Sequence, residues 1–374
     1  MRILNITADY PDVFKPNKTK AVKLLISESN HDHFIISINR CSSPHLEKWE
    51  EMENGVSISY FSPPMGLMLR FFLRRLASKI KNYIKSKSIL VDFIVAHKMT
   101  VEGLIAKDVA INLGVGYGVS LWGSTDKKFI KLKPELQGTY RDVYHDAHIV
   151  FPASPWIREY VEQKLNCNSS SIVLLPVVTN NTLPCSPTSN EINFVSVFNL
   201  DLYRLKGLPC LLEVLSGYEE SWSLDIYGVG SFKSVKSIRK LLQKLGIDNR
   251  VRLMGQVDNE RITEVISQYH SFLMPTTSET YGMVYIEALF AGVPILYSKN
   301  QGVDGYFDEV DIGVKVIPSV KKSILKGITE LVSMRSDYVE NISKLHENGF
   351  FDKFKKKSIV NSFDQALMEV KDHG

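Results

Sequence analysis

The sequence is poor in the features that mark secreted, metal-binding or membrane-spanning proteins. Its four cysteines are widely scattered, with no CxxC pair and no cysteine–histidine cluster. This spacing gives no indication of a disulfide framework or a zinc site and favours a reducing compartment such as the cytoplasm. No stretch approaches the ~20 apolar residues of a membrane-spanning helix. The first residues enter a strand pattern directly, without the apolar core of a signal peptide.

What is present is typical of a soluble globular protein. Hydrophobic residues make up 44% and charged residues 23% of the 374 positions. The net charge of +4 is mild, so nucleic-acid binding is not expected. This length favours two domains.

Strand and helix patterns alternate in both halves, which predicts an α/β fold of two Rossmann-like, doubly wound domains facing across a cleft. A polar segment with two prolines, Asn180 to Asn190, is the best linker candidate. The predicted domains are therefore 1–180 and 191–350. Residues 351–374 are predicted to form a C-terminal helix that packs back on the first domain.

The segment from Thr277 to Leu289 carries the strongest functional signal. A buried strand pattern stops at Pro275, and a short helix pattern then follows Gly282. Glu279 and Glu287 both lie after the strand, on the side where open parallel sheets bind ligands. The N–H groups at the start of such a helix attract anions such as a diphosphate, here from Thr280, Tyr281, Gly282 and Met283. On spacing alone, the alternative is a surface helix with two solvated glutamates.

These two glutamates, with seven residues between them, resemble the motif of the retaining GT-B glycosyltransferases of family four, the glycosyl transferases group 1. The resemblance implies a GT-B fold and metal-independent transfer from a nucleotide-diphosphate sugar, with no cofactor. It also implies that Glu287 binds the ribose hydroxyls and that Glu279 holds and orients the donor sugar.

A basic loop follows the first strand of the second domain and resembles the family's diphosphate-binding loop. Arg204 and Lys206 are predicted to bind the diphosphate as catalytic cations. Asn199 stands where the family usually has arginine, so Arg204 is predicted to take over that role. Gly228 and Gly230 resemble the family's Gly-x-Gly turn, which gives the nucleotide room. The alternative is a solvated basic loop.

The first domain resembles the family more loosely. His97 ends a strand, as an equivalent histidine does in the family, and is predicted to face the cleft; a buried or capping histidine is the alternative. In the family's His-Gly-Ser-Asp segment, Trp122 replaces the histidine and Asp126 is predicted to accept a sugar hydroxyl. The ring of Trp122 either stacks on a sugar or packs in the core. The basic loop at 12–18 either favours an anionic or lipid-phosphate acceptor or is a solvated loop.

Residues 67–87 form a basic amphipathic helix pattern. Seven lysines and arginines alternate with apolar residues at helical spacing, and no acidic residue interrupts them. Such a helix binds an anionic membrane surface. The alternative is a core-packed helix with a solvated basic face.

Together these patterns predict a retaining hexosyltransferase that uses a UDP- or GDP-sugar. The expected partner is a glycan or polyprenyl-linked acceptor, and the expected role is cell-surface polysaccharide synthesis. The expected location is the cytoplasm, at the inner face of the membrane. One alternative is a GT-B nucleotide-sugar epimerase. Another, suggested by Asn199 and Trp122, is a non-catalytic paralogue that binds sugar nucleotides.

Overall fold

The computed structural model describes residues 1–169, 171–179, 187–188 and 191–372. The chain divides into two compact units. Unit 1 comprises Met1–Ala153, Ile157–Val178 and Lys356–Gly374, and unit 2 comprises Ser154–Trp156 and Thr179–Lys355. The predicted linker lies outside the described residues, apart from 187–188.

Unit 1 contains a seven-stranded sheet with the order β3-β4-β2-β1-β5-β6-β7. All neighbouring strands are parallel except the edge pair β3 and β4. The strands are β1 (Arg2–Thr7), β2 (Asp32–Cys41), β3 (Lys48–Met52), β4 (Gly55–Phe61), β5 (Phe93–Ala96), β6 (Gly116–Leu121) and β7 (Ile149–Pro152).

Unit 2 contains a six-stranded sheet with the order β10-β9-β8-β11-β12-β13, and every pair is parallel. The strands are β8 (Asn193–Val197), β9 (Ser223–Tyr227), β10 (Val251–Gly255), β11 (Ser271–Leu273), β12 (Ile295–Ser298) and β13 (Gly313–Val316). Without β3, both sheets follow the same doubly wound order, 3-2-1-4-5-6. The strand order reverses between β1 and β5 in unit 1 and between β8 and β11 in unit 2, and ligands bind at such switch points.

Helices connect most of the successive parallel strands, and further helices follow β7 and β13. They are α1 (Ala21–Ile26), α2 (Leu69–Ser86), α3 (Glu102–Leu113), α4 (Ser124–Leu132), α5 (Gln137–His145), α6 (Pro155–Leu165), α7 (Leu208–Leu215), α8 (Phe232–Leu245), α9 (Ile262–Ile266), α10 (Met283–Phe290), α11 (Lys321–Ser333), α12 (Arg335–Glu347) and α13 (Lys356–Asp372). Helix α13 belongs to unit 1, where Phe363 packs in one buried cluster with Phe93 and Phe151. Among the described helices, none is both long and apolar enough to cross a membrane.

The two sheets, parallel apart from the β3–β4 pair, confirm the predicted α/β class. Residues 171–176 have the apolar pattern of a strand, but they form only an isolated bridge between Val150 and Ile172 beside β7. Strands β3 and β13 and helices α4, α5, α6, α11 and α12 were not predicted. In β3 the hydrophobic alternation is weak, since three of its five residues are charged.

Candidate functional site

Two loops meet at the switch point of unit 2 and bring Lys206 to Glu279. The carbonyl of Leu205, in the loop after β8, accepts hydrogen bonds from Thr277 N (2.7 Å) and Thr276 Oγ1 (2.9 Å), in the loop after β11. This clamp leaves Lys206 Nζ 2.5 Å from Glu279 Oε2, with both side chains largely buried. Two residues separated by 73 positions in the chain therefore form one charged pair at the ligand edge of the sheet.

The backbone around Glu279 is held by the loop after β12. Glu279 N donates to Gln301 Oε1 (2.9 Å), and the carboxylate of Glu279 also accepts from Thr280 N (3.0 Å). The carbonyl of the next loop residue, Gly302, accepts from Ser154 Oγ (2.5 Å). Gln301 and Ser154 were not predicted, because their spacing in the sequence does not relate them to the two glutamates.

Helix α10 begins at this point with an uncapped end. Its N-cap residue, Gly282, has φ +77° and no side-chain hydrogen bond caps the first turn. A Cβ at Gly282 would lie 2.6 Å from the ring of Tyr285, so only glycine fits this turn. The first N–H groups of α10 are therefore suited to an anion. The side chain of Tyr281 is only 2% exposed, so its possible contribution is its backbone, whereas Met283 is 38% exposed.

Glu287 lies half-buried on α10, and its Oε1 accepts a hydrogen bond from Thr179 Oγ1 (3.1 Å). Burial raises the pKa of Glu287 to about 7, and the Thr179 hydrogen bond opposes this shift. A carboxylate with this environment gains from further donors such as sugar hydroxyls, because each stabilises its charged form. Thr179 was not predicted, since it lies 108 residues away in the chain.

The turns beside the Lys206–Glu279 pair are shaped by Asn199, Gly228 and Gly230. Asn199 Oδ1 accepts from Asp201 N (2.9 Å) and caps the short 3₁₀ turn that follows β8. At Gly228, a Cβ would lie 1.9 Å from the carbonyl oxygen of Phe198, so the loops after β8 and β9 meet backbone to backbone. A Cβ at Gly230 would meet Leu200 at 2.7 Å. The structure thus gives Asn199 a local capping role in place of the family's cation.

Arg204 lies apart from the Lys206–Glu279 pair. Its side chain is exposed, and its guanidinium carbon lies 5.2 Å from the ring centroid of Tyr203. Of the two predicted cations, Lys206 alone contacts Glu279 in this structure.

His97 lies at the end of β5, at the switch point of unit 1, and is only 2% exposed. Its Nε2 lies 3.1 Å from Asn5 Oδ1, and its Nδ1 has no partner among the described residues. Burial, with smaller effects from His33 and Lys98, lowers the pKa of His97 to about 3, so the ring is neutral. His97 also lines a small cavity together with Ser120 and Trp122.

Asp126 does not match its predicted role as a sugar-hydroxyl acceptor. It is fully buried, and its carboxylate accepts from Thr100 N (3.1 Å), Thr100 Oγ1 (2.9 Å) and Trp122 N (3.0 Å). These three internal donors tie the end of β6 to the loop after β5, which is a structural role. The ring of Trp122 packs against the buried cluster of Val22 and Ile26.

The unit 1 switch point contains a charged pair that was not predicted. Lys98, after β5, forms an ion pair with Asp9, after β1, and its Nζ lies 3.9 Å from Glu102 Oε1. Burial raises the pKa of Glu102 to about 7. Burial alone would lower the pKa of Lys98, but Glu102 and Asp9 overcome this effect and raise it. Hydrophobic periodicity carries no signal for such a cluster, because its members belong to different elements.

Helix α2 has a more balanced charge than its sequence implies. Arg70, Lys79 and Lys87 form ion pairs of 2.6–2.7 Å with acidic residues from other elements, namely Asp108, Glu47 and Glu51. Arg74, Arg75 and Lys85 are exposed, and no carboxylate of the described residues lies within 4.0 Å of them.

Exposed apolar side chains cluster immediately before and at the start of α2. The exposed fractions are 91% for Met65, 66% for Leu67, 61% for Met68 and 55% for Phe71. The turn that carries them is held by Lys133, whose Nζ donates to the carbonyl of Gly66 (3.0 Å). Several exposed apolar side chains close together in the sequence are typical of an interaction surface.

Sequence comparisons relate this chain to known glycosyltransferases. The family model described as glycosyl transferases group 1 matches residues 186–349. The putative teichuronic acid biosynthesis glycosyltransferase TuaC of Bacillus subtilis is 26% identical over 243 residues, which are 63% of this chain and 60% of TuaC. The gpi3 subunit of the Schizosaccharomyces pombe phosphatidylinositol N-acetylglucosaminyltransferase is 26% identical over 49% of this chain and 40% of that protein. The chain thus spans 40–60% of the length of these two relatives.

Solved structures show the same fold over the whole chain. Sucrose-phosphate synthase from Thermosynechococcus elongatus has a TM-score of 0.74 at 16% identity, and the match covers 100% of both chains. Anabaena HepE in complex with UDP-glucose has a TM-score of 0.68 at 14% identity, covering 99% of this chain and 100% of that one. These matches confirm the GT-B fold. Residues 186–349 therefore belong to the glycosyl transferases group 1 family.

Proposed function

We propose that the protein is a retaining glycosyltransferase that moves a hexose from a UDP- or GDP-sugar to a hydroxyl of a glycan or lipid-linked glycan. The observation that carries this proposal is the Lys206–Glu279 pair beside the uncapped start of α10, at the switch point of unit 2. That position combines a cation and helix N–H groups for a diphosphate with a carboxylate for sugar hydroxyls.

Each residue has a distinct role in this proposal. Glu287, with its Thr179 partner, accepts hydrogen bonds from the ribose hydroxyls. The backbone of 280–283 and Lys206 bind the diphosphate, and incoming phosphates release Glu279 from Lys206. Glu279 then orients the donor sugar. Arg204, exposed on the same loop, adds a second cation to the diphosphate.

The chemistry follows from charge stabilisation. The bond between the anomeric carbon and the diphosphate breaks, and its electrons stay on the diphosphate. The acceptor hydroxyl attacks the same face of the sugar, and its proton moves to the departing phosphate oxygen. Lys206 and the N–H groups of α10 stabilise the charge that develops on the leaving group, which is the largest contribution expected from fixed cations and dipoles. No metal ion is required in this scheme.

The proposal is tested by a thermal-shift panel of UDP- and GDP-sugars, followed by product analysis. A ligand at 100 times its dissociation constant stabilises the folded state by about 2.7 kcal/mol, so the correct donor stands out in the panel. Transfer with the anomeric configuration preserved, unaffected by EDTA, supports the proposal. Inversion of the anomeric configuration contradicts the retaining mechanism. An altered free nucleotide sugar indicates an epimerase, and binding without any turnover indicates a non-catalytic paralogue.

We further propose that unit 1 docks on an anionic membrane, which supplies a polyprenyl-linked acceptor for cell-surface polysaccharide synthesis. The support is the apolar cluster Met65, Leu67, Met68 and Phe71 next to the exposed cations of α2. Apolar side chains enter the interface while nearby cations contribute about 1 kcal/mol each at an anionic surface. TuaC is named for teichuronic acid biosynthesis, and LpsE of Rhizobium meliloti, 22% identical over 43% of this chain, is named for lipopolysaccharide core biosynthesis.

Liposome sedimentation tests the membrane proposal. Replacing Arg74, Arg75 and Lys85 with glutamine should release the protein from vesicles rich in phosphatidylglycerol. The matched control replaces three exposed cations of α8, Lys236, Arg239 and Lys240, and should leave sedimentation unchanged. A wild-type protein that never sediments with these vesicles refutes the proposal.

A further inference from the structure

A continuous chain of hydrogen bonds joins His97 to helix α13 inside unit 1. In order, the links are His97 Nε2 to Asn5 Oδ1 (3.1 Å), Asn5 Nδ2 to His33 Nδ1 (2.9 Å), His33 Nε2 to Ser29 Oγ (2.8 Å) and Ser29 Oγ to Asp364 Oδ1 (2.5 Å). The chain runs from the switch point of unit 1 to a residue 267 positions later, and no residue pattern in the sequence relates its members.

The donor direction of the first links is fixed by a backbone carbonyl. Asn5 Nδ2 also lies 3.3 Å from the carbonyl oxygen of Ile3, which can only accept. The Asn5 amide must therefore present its NH₂ group to Ile3 and to His33 Nδ1, and its oxygen to His97. It follows that His33 Nδ1 carries no proton and that His97 Nε2 carries one.

The far end of the chain is fixed by a carboxylate. The carboxylate of Asp364 accepts hydrogen bonds from Asn30 N (2.8 Å) and from the Ser29 hydroxyl. These two contacts from the turn before β2 fix the position of the carboxylate. The Ser29 hydroxyl donates to the carboxylate of Asp364, so its oxygen accepts from His33 Nε2. Both ends therefore require the same direction, with every donor aimed towards Asp364.

This direction determines which nitrogen of His97 is available. Its Nδ1 is the ring nitrogen that has no partner among the described residues, and the ring is almost completely buried. A neutral ring with its proton on Nε2 presents only a lone pair at Nδ1. The matching ligand group is a hydrogen-bond donor without charge, and in a sugar or glycan that group is a hydroxyl.

We infer that Asn5, His33, Ser29 and Asp364 are positioning residues that hold His97 in its Nε2–H tautomer, so that Nδ1 accepts a hydrogen bond from a substrate hydroxyl. Helix α13 thus acts on a proposed site residue through three intervening side chains. The identity of the hydroxyl-bearing ligand rests on the proposed glycosyl transfer, whereas the tautomer does not.

Nitrogen NMR of the full-length protein, labelled with ¹⁵N-histidine, tests the tautomer directly. The wild-type spectrum should show His97 protonated at Nε2 only and His33 protonated at Nε2 only, with assignments from the His97→Gln and His33→Gln variants. Ser29→Ala removes the acceptor of the His33 Nε2 proton and should shift the His33 nitrogen resonances, whereas the Asn5–Ile3 hydrogen bond should keep the His97 tautomer. Asn5→Asp presents an acceptor to His33 Nδ1 and should move a proton onto that nitrogen.

Kinetics provide the second readout. Hydrogen bonds that only stabilised the fold would not lower kcat while leaving the affinity for UDP unchanged. Ser29→Ala should lower kcat by about 10- to 100-fold through misplacement of His97, with the affinity for UDP unchanged. Glu369→Gln, an exposed acid on the same helix, is the matched control and should change neither readout.

Two results overturn the inference: wild-type His97 protonated at Nδ1, or His33 nitrogen shifts that neither Ser29→Ala nor Asn5→Asp changes. The nitrogen shifts require no turnover. A protein with the expected nitrogen shifts but no transferase activity would therefore refute the proposed function. The inferred hydrogen-bond series and the His97 tautomer would still stand.

Discussion

The two sheets share one strand order but place different chemistry at the point where that order reverses. Each switch point contains a lysine paired with a carboxylate, Lys206 with Glu279 in unit 2 and Lys98 with Asp9 in unit 1. In unit 2 the lysine follows β8 and the carboxylate follows β11. In unit 1 the arrangement is reversed, because the carboxylate follows β1 and the lysine follows β5. The shared topology therefore determines where the ion pair lies in each unit, and the loops determine which ligand the pair can bind.

The surroundings of the two pairs differ more than the pairs themselves. The unit 2 pair lies beside an uncapped helix start, which suits a diphosphate. The unit 1 pair lies beside a second buried carboxylate, Glu102, and near the neutral ring of His97. We therefore expect unit 2 to bind the anionic donor and unit 1 to bind hydroxyl groups of the acceptor.

The largest expected effect is on Lys206. Lys206→Ala should lower kcat by about 100- to 1,000-fold, because a fixed cation at the leaving group acts mainly in the transition state. Steady-state kinetics with the donor identified in the thermal-shift panel measure the change. Lys240→Ala, at an exposed position of α8, is the control. A near wild-type kcat in the Lys206 variant would contradict the assignment of the donor diphosphate to the unit 2 pair.

Glu287→Ala should weaken the binding of nucleotide diphosphates by about 10- to 100-fold, since it removes a charged acceptor of hydroxyl hydrogen bonds. Isothermal titration calorimetry with UDP and GDP measures the change. The smaller change Thr179→Val removes only the hydrogen bond to Glu287 and should weaken binding less. Unchanged affinity in Glu287→Ala for every nucleotide would exclude Glu287 from the nucleotide site.

Lys98→Met should raise the KM for the acceptor by about tenfold and leave the affinity for UDP unchanged, because the expected loss is one charged hydrogen bond in unit 1. Lys23→Met, at an exposed position on α1, serves as the matched control. If the Lys98 variant instead lost affinity for UDP, the division of labour between the two switch points would be wrong.

The smallest expected effect is on stability. The pKa of Glu287 is about 7 in the folded protein and 4.5 ordinarily, so folding disfavours the ionised form. This cost is absent below pH 4.5, grows as the pH rises and is complete above about pH 7. Glu287→Gln should therefore raise the melting temperature by a few degrees at pH 8 and leave it unchanged at pH 4. Thermal unfolding that shows no pH-dependent difference would contradict the buried carboxylate.

The sequence predicted the parallel sheets and the position of the two glutamates because both depend on local pattern. A buried strand, a glycine and a short helix in succession are sufficient to locate Glu279 and Glu287. The transferase family was confirmed, whereas the assigned roles of the individual site residues stay predictions.

Residues such as Thr179 and Gln301 could not be predicted, because tertiary contacts alone bring them to those glutamates. Asp126 and Asn199 show the opposite difficulty. Each occupies a position within a family-like segment, yet each uses its side chain to satisfy nearby backbone N–H groups. Sequence spacing cannot distinguish such local hydrogen bonding from contact with a ligand.

The antiparallel strand β3 has a consequence for solubility. It covers β4, which would otherwise form the edge of the unit 1 sheet with the alternating sequence Gly55–Phe61. The charged residues of β3, Lys48, Glu50 and Glu51, are exposed on the new edge. Charged, short edge strands discourage pairing with another molecule. A chain without this hairpin would present β4 as a template for intermolecular sheet growth, so β3 protects the protein from aggregation during synthesis and refolding.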